Sequence, residues 1–403
     1  MSQITTYSTP ANLFSVPDVA SNQTPRPDVF LSSRYSPSVA RELIETARAL
    51  VNPRGKGIYA TDETPEAIEA VLRGASTGAE KDKQWSVEEN RDRRKRWRES
   101  AYEALSNEYI SGVILYSETL LDFKLAPILQ KKGIIPGVRA NGELRPFPGS
   151  PSEFIVQGLD DLLPQLQAAR AAGARFSKWR VPIACTSLVQ GLPSRAGLEV
   201  QAETLAQYAA ISQQAGLVPI VEPDVEFSED ADLARSAEVH EQAIALIYAR
   251  CLSYGVLLEG SLLKPSFPQP GLKHPSRAQI KPDEIALATT TMISRAVPAA
   301  VPGVVFLSGF SFPKNTESIT DVFFSGGLAS SVATAYLSAV NVLVNSASSA
   351  SALSRLPPLS FSFGRALQGE AAQHWVKDDI KAMEEAFEKW SRACWVSAKG
   401  EGK

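Results

Sequence analysis

Cysteine and histidine are scarce in this 403-residue chain, which has three of each. Cys185, Cys251 and Cys394 are an odd set without close spacing, which excludes a disulfide framework, a zinc ribbon and a CxxC redox pair and points to a reducing compartment. His240, His274 and His374 fall in segments of helical or loop character, so a His-rich zinc site is not expected and ordinary packing is preferred for each. No apolar run approaches the length that spans a bilayer, and the N-terminus lacks a charged start followed by an apolar stretch. The chain is therefore read as cytoplasmic, with no membrane partner. An excess of charge is missing too: a formal net charge of -3 gives no whole-molecule attraction to nucleic acid, so any anionic ligand must be met by local cations. There is no P-loop and no GxGxxG between a strand and a helix, and no cofactor is expected.

What is present is an alternation of two textures. Residues 1–38 are rich in Ser, Thr, Pro and Asn and read as a flexible N-terminal arm. From residue 39 to 403, short β-branched or apolar runs recur in GKGIYATDE, GVILYSE, IIPGVRANG, RFSKWRV, LVPIVEP, LLEGSLLKP, GVVFLSG and LSFSFGRA, each a buried strand running into a polar end. Helical spacing separates them, as in Asp160 to Ala172, Glu199 to Ala215, Ser236 to Ser253, Asp283 to Ala296 and Leu328 to Val344. Eight strands alternating with helices and no linker favour a single (β/α)8 TIM barrel over an open doubly wound sheet, with a short C-terminal tail.

A barrel of this kind places functional side chains at the C-terminal strand ends. Asp62 and Glu63 end the first run, Arg139 the third, Lys178 and Arg180 the fourth, and Glu222 and Asp224 the fifth. Lys264 ends the sixth, Ser308 and Gly309 the seventh, and Gly364 and Arg365 the eighth. Residues two apart on a strand share a face, so Lys178 lies in phase with Arg180, Glu222 with Asp224, and Lys264 with Leu262. One interior thus receives charges of both signs, which must pair with each other or with a ligand. For each charge alone, a structural ion pair is an equally good account.

A lysine is a nucleophile only when unprotonated, so its ordinary pKa of about 10.4 must be lowered by desolvation or a neighbouring cation. Lys264 follows two leucines, and Lys178 can supply the cation. A neutral amine there can attack a ketone, with Glu222 moving protons and Asp62 taking one from the hydroxyl of the departing carbon. Metal-assisted aldol chemistry is the mechanistic rival, but the histidines are in the wrong places to hold the ion.

At these residues the sequence resembles class I fructose-bisphosphate aldolase, from about Ala40 to the region of Trp395. The resemblance is carried by GKGIYATDE, EENR at Glu88 to Arg91, GVILYSETL, SKWR, QQAGLVPIVEP, LEGSLLKP, VPGVVFLSG and FSFGRALQ, in order and at matching spacing. It implies an aldehyde-lyase with Lys264 as Schiff-base lysine, with Asp62, Lys178 and Glu222 as proton-transfer and electrostatic partners, and with Asp224 and Arg180 in the same site. It also implies donor-phosphate contacts from Ser308, Gly309, Gly364 and Arg365, with Ser362, Arg139 and Thr64 completing the substrate-binding candidates. A phosphorylated sugar or related keto compound is then the small-molecule partner, and a homo-tetramer follows by analogy.

The chain departs from the family's pattern at several positions. Arg139 stands for a lysine, Asp224 for the second glutamate of VEPE, and Phe310 for the second glycine after Ser308. Thr64, Ala67, Ala70 and Val71 occupy the segment where the family has serines and a basic pair for a distal phosphate. Phe363 replaces the tyrosine of FSYGR, and the chain stops at Ser397 to Lys403, short of the family's tail with its catalytic tyrosine. A Schiff-base lyase with an altered distal phosphate site is the expectation. The alternatives are a repurposed lyase for a substrate without two phosphates and a non-catalytic barrel scaffold. The basic run from Arg91 to Arg98 is read as a solvated helix face rather than a nucleic-acid patch, and Trp179 as outward-facing core.

Overall fold

The computed structural model describes residues 35–78, 81, 83–308 and 328–401. In chain order the strands are β1 (Gly57–Thr61), β2 (Ile110–Leu115), β3 (Ile135–Arg139), β4 (Leu144–Phe147) and β5 (Ser150–Val156). They continue as β6 (Phe176–Ile183), β7 (Val218–Val225), β8 (Leu262–Leu263), β9 (Val304–Phe306) and β10 (Leu359–Phe363). Eight of them close a parallel barrel in the order β1-β2-β3-β6-β7-β8-β9-β10, while β4 and β5 form a separate antiparallel pair. All eight runs read from the sequence are barrel strands, and the fold is a (β/α)8 TIM barrel. The β4–β5 hairpin is additional: Arg145 and Pro146 in the middle of β4 are exposed and only Glu153 and Val156 of β5 are buried, so it carries no continuous apolar run to announce it.

The helices are α1 (Pro37–Val51), α2 (Pro65–Ala75), α3 (Val87–Ala104), α4 (Ala126–Lys131), α5 (Leu162–Ala171) and α6 (Arg195–Gln214). After them come α7 (Leu233–Ser253), α8 (Pro282–Ala296), α9 (Ser330–Ser346), α10 (Arg365–Trp375) and α11 (Ile380–Lys399). Their starts follow local chemistry. Ser36 caps α1 ahead of Pro37, and Ser86 and Glu89 form a reciprocal capping box on α3 at 3.2 and 2.8 Å. The expected arm falls mainly on residues 1–34, outside the described residues. Its last residues are already part of the fold, since the Tyr35 hydroxyl donates to Gln213 at 2.7 Å and α1 begins at Pro37. No helix among the described residues is long and apolar enough to cross a membrane.

Strand parity divides the core into two. Ile58, Ala60, Ile114, Phe176, Val218, Ile220, Leu262 and Val305 point inward and share a cluster with Leu43, Ala47, Leu50 and Val51 of α1, which seals the N-terminal end of the barrel. The alternate positions, Tyr59, Val113, Val138, Trp179, Val221, Leu263, Phe306 and Phe361 among them, join the larger cluster between strands and helices. Trp179 is fully buried there, its ring 5.4 Å from Tyr208 of α6.

The inward ring of Phe176 fills the space left by two glycines. A Cβ at Gly137 would lie 2.3 Å from ring carbons of Phe176, and one at Gly112 would lie 3.1 Å from it. Gly137→Ala is therefore an overpacking change, expected to cost about 1–3 kcal/mol. The midpoint of urea unfolding, measured beside the wild type, should fall accordingly.

Candidate functional site

The charged residues read from the strand ends converge inside the C-terminal rim. Lys178 and Arg180 project inward from β6, Glu222 and Asp224 from β7, and Asp62 from the residue after β1. Their neighbours are in register, since Arg139 pairs with Lys178 and Arg180 with Glu222 across adjacent strands. Lys264 lies one residue beyond β8, where its backbone N–H still donates to Val221 at 2.8 Å. Leu262, in phase below it, belongs to the inner apolar cluster, so the ammonium rises from a dry floor.

Four of these side chains form a continuous chain of ion pairs. Lys178 Nζ lies 2.6 Å from Asp62 Oδ2 and 3.3 Å from Glu222 Oε2, and the same Glu222 oxygen lies 3.3 Å from Lys264 Nζ. A second pair stands beside them, with Arg180 Nε and Nη2 each 2.7 Å from Asp224 Oδ2. Three cations and three anions therefore balance. The lysines and Glu222 are buried, and the Asp62 side chain is 14% exposed.

The pairing sets protonation. Burial draws the Lys264 ammonium below its ordinary pKa and the Lys178 cation adds to this, against the opposing pull of Glu222 and Asp62. Burial pushes the Asp62 carboxyl up, yet Lys178, Lys264 and Arg139 outweigh it and hold it well below the usual carboxylate range. Asp224 goes the other way, raised by burial and by Glu222 against the pull of Arg180. A lysine inclined to lose its proton thus touches a carboxylate that can receive it, with an ionised aspartate on the far side of a second lysine.

The remaining candidates occupy the rim without joining this chain directly. Arg139 donates to the carbonyls of Asp62 and Asn141, each at 3.3 Å, and its guanidinium lies 5.7 Å from the Tyr116 ring. Ser362 projects inward from β10, and its hydroxyl is buried without a hydrogen-bond partner among the described residues. Gly364 approaches β1 so closely that a Cβ would lie 2.8 Å from the carbonyl oxygen of Ala60. It leads into α10, which starts at Arg365 with no side-chain cap. Ser308 ends the described part of its loop, its carbonyl accepting from the Leu328 N–H at 2.8 Å, whereas Gly309 and Phe310 lie outside the described residues. Thr64 is used structurally: its hydroxyl accepts from the Ala67 N–H at 3.3 Å and caps α2.

One expectation is corrected. The basic run on α3 is not simply a solvated face, because Arg93, Arg94 and Arg98 are buried while Arg91 and Arg96 are exposed. Arg94 pairs with Glu69 and Glu118, and Arg98 with Glu63 at 2.9 Å, so side chains that resembled a surface patch neutralise carboxylates between α3 and the barrel. Phe363 lies on the outward face of β10, packed 5.5 Å from Phe361. Among the described residues no group of three or more His, Cys, Asp or Glu stands together as a metal cradle. Reasoning from single positions missed the chain on the outer side of β1 in which Tyr59 bonds to Gln368, Gln368 to Glu63 and Glu63 to Arg98, beside a Thr61–Tyr102 contact; the parity of Glu63, opposite to that of Asp62, was the available signal.

The class I fructose-bisphosphate aldolase family model matches residues 42–321 and 311–403. Fructose-bisphosphate aldolase of Dictyostelium discoideum is 37% identical over 344 residues, covering 83% of this chain and 85% of that protein. Fructose-bisphosphate aldolase B of Ovis aries is 35% identical over 370 residues, covering 90% of each. The crystal structure of fructose-bisphosphate aldolase from Plasmodium falciparum, in complex with TRAP and a small-molecule inhibitor, has a TM-score of 0.77 and 29% identity over 91% of this chain and 97% of that one. Fold, rim charges and relatives together define a barrel enzyme of the aldehyde-lyase class. The chain belongs to the class I fructose-bisphosphate aldolase family.

The depressed Asp62 carboxyl has a consequence for stability. A carboxyl whose folded-state pKa lies below its unfolded value stabilises the fold at neutral pH, and that contribution shrinks as pH falls below about 4. The stability gap between wild type and Asp62→Asn should therefore be widest near pH 7 and narrow toward pH 3, as followed by urea unfolding across that range.

Proposed function

We propose that this aldehyde-lyase cleaves a ketose phosphate through an imine on Lys264. The contact between the Lys264 ammonium and Glu222, with Lys178 pressing from the same side, carries the reading. The neutral amine attacks the ketone carbon; Glu222 receives the ammonium proton and returns one to the carbinolamine hydroxyl, which leaves as water. Asp62 then takes the proton of the hydroxyl on the carbon to be released. Electrons of the breaking carbon-carbon bond flow into the iminium, giving an enamine and a free aldehyde. Protonation of the enamine carbon and hydrolysis of the imine return the amine.

Arg365, the uncapped start of α10, Gly364, Ser362 and the Ser308 loop supply the donor-phosphate end, where a guanidinium fork and close backbone approach suit an oxyanion. Arg180 and Asp224 support the rim beside Glu222. The acceptor end is altered: Thr64 is engaged in capping α2, Ala67 and Ala70 are buried against the core, and Arg139 is tied to two backbone carbonyls. This favours a substrate in which the second phosphate contributes little, within a cytoplasmic enzyme that needs no bound cofactor. A non-catalytic scaffold is disfavoured, because one gains nothing from buried charges that cost several kcal/mol when unpaired.

Incubation with fructose 1-phosphate or fructose 1,6-bisphosphate followed by borohydride should leave a reduced adduct on Lys264, located by mass spectrometry and lost in Lys264→Met. Absence of any adduct from a folded protein, under conditions where an authentic class I aldolase is trapped, ends the proposal. Lys178→Met removes the cation that lowers the Lys264 pKa, so the pH at which trapping sets in should move upward. If the distal site is altered as proposed, kcat/KM for the two ketose phosphates should agree within about tenfold, since the larger discrimination of a charge-assisted contact, roughly 1.5–3 kcal/mol per bond, is missing.

A further inference from the structure

We propose that Ser266, held from behind by His240, is a positioning residue for Lys264: its hydroxyl takes over where the backbone ladder between β7 and β8 breaks off and keeps the Lys264 segment aligned with the strand that carries Glu222. This role presupposes the reading of Lys264 as the imine-forming residue. Proline at the two strand ends creates the need, since Pro223 interrupts β7 while Pro265, Pro268 and Pro270 follow Lys264.

Ile220 and Val221 pair with Leu262 and Leu263, and one residue further the Lys264 N–H donates to the Val221 carbonyl at 2.8 Å. A parallel ladder would next return an N–H from residue 223 to the Lys264 carbonyl, but proline has none to give, and Pro265 offers none to β7. The strands that bring Lys264 and Glu222 together therefore lose ladder bonds at the edge of the site. Ser266 answers with a side chain. Its hydroxyl oxygen accepts from the Val225 N–H at 3.0 Å, and the Val225 carbonyl lies 3.0 Å from the same oxygen. Val225 comes directly after Asp224 on β7, so the bond is made to the strand end that bears both carboxylates.

His240 on α7 fixes that hydroxyl. Burial draws the imidazole pKa down to about 4, so the ring is neutral near pH 7 and carries a single N–H. Nδ1 lies 2.7 Å from the Ser236 carbonyl, which can only accept, so the proton sits on Nδ1 and Nε2 is an acceptor 2.9 Å from the Ser266 hydroxyl. Ser266 can then accept from Val225 and donate to His240 at once, joining β7, the Lys264 segment and α7. The same turn of α7 grips the segment again, where the Gln269 N–H donates to the Ser236 hydroxyl at 3.2 Å. On the other flank the Leu307 N–H donates to the Pro265 carbonyl at 3.0 Å, and Phe267 stacks on Phe306 of β9 with ring centroids 4.4 Å apart. Ser266 and His240 are both fully buried, so they act through the placement of Lys264 and not on substrate.

The test uses the full-length protein, the time course of borohydride trapping on Lys264 with fructose 1-phosphate or fructose 1,6-bisphosphate, and steady-state kinetics with whichever of them the wild type cleaves. Ser266→Ala should lower kcat and the trapping rate together by about tenfold, the scale of a small misplacement of reacting groups, with KM within about threefold of wild type. His240→Leu leaves the hydroxyl to Val225 alone and should lower both rates by about threefold, as the loss of one hydrogen bond allows. The double variant should be no slower than Ser266→Ala, because His240 acts only through the hydroxyl. Ser266→Cys keeps the shape with a weaker donor and should fall between wild type and the alanine variant; it carries the test if the alanine variant does not fold. Wild-type rates in a folded Ser266 variant, a fall in kcat matched by an equal rise in KM, or losses that multiply in the double variant overturn the inference. Absence of trapping in the wild type itself removes the Lys264 reading, whereas a trapped wild type with undiminished rates in the variants removes only the role of Ser266.

Discussion

Charges placed inside a barrel must be answered by other charges, because a lone ion at that depth costs several kcal/mol. Here the answer is a shared one. Lys178 serves two carboxylates at once, and Glu222 serves two lysines through a single oxygen. No member can change its protonation without altering the balance at the next. A proton leaving Lys264 is compensated within the same chain of contacts, which allows an amine to become nucleophilic without stranding a charge. The members also differ in their contacts, since Asp62 meets Lys178 alone whereas Glu222 meets both lysines.

The apolar end of the barrel makes this arrangement effective. Phe176, Leu262, Ile220 and Val305 fill the interior below the charges, and α1 closes the opening with Leu43, Ala47, Leu50 and Val51. With the N-terminal end sealed, the ions are reached only from the rim, and the local dielectric stays low. Burial is the leading cause of the lowered Lys264 pKa for that reason. The bulk of Phe176 opposite Gly112 and Gly137 does for packing what Lys178 does two residues later for charge, on the same face of the same strand.

Barrel strands and inward charges were legible in the sequence because both obey a period of two. Runs such as RFSKWRV and LVPIVEP declare their buried face, and the polar end of each run marks the rim. Hairpin β4–β5 was not legible, since LRPF and SPSEFIV mix exposed and partly buried positions without a continuous face. The arginines of α3 failed for another reason. A helix rich in Arg and Glu reads as solvated unless the partners are known, and Glu63, Glu69 and Glu118 come from segments up to 35 residues away. The capping of α2 by Thr64, whose hydroxyl accepts from the Ala67 N–H, was not read from the sequence either, because the position was considered only as a substrate contact.

Consecutive acidic residues at a strand end obey the same rule of alternation. Because Asp62 and Glu63 follow one another directly after β1, the alternation of the strand carries on to send one into the barrel and the other into the helical layer, and each side must provide a cation. Lys178 answers the first and Arg98 the second. An arginine in a hydrophilic helix such as α3 is then required by a carboxylate from the adjoining strand end, not by solvent. The demand passes to α10 as well, since Gln368 bonds the same carboxylate while Arg365 sits at the head of that helix. A pair of adjacent acids at one strand end thus links the inner chain of ion pairs to the helical layer and to α10 through the wall of the barrel.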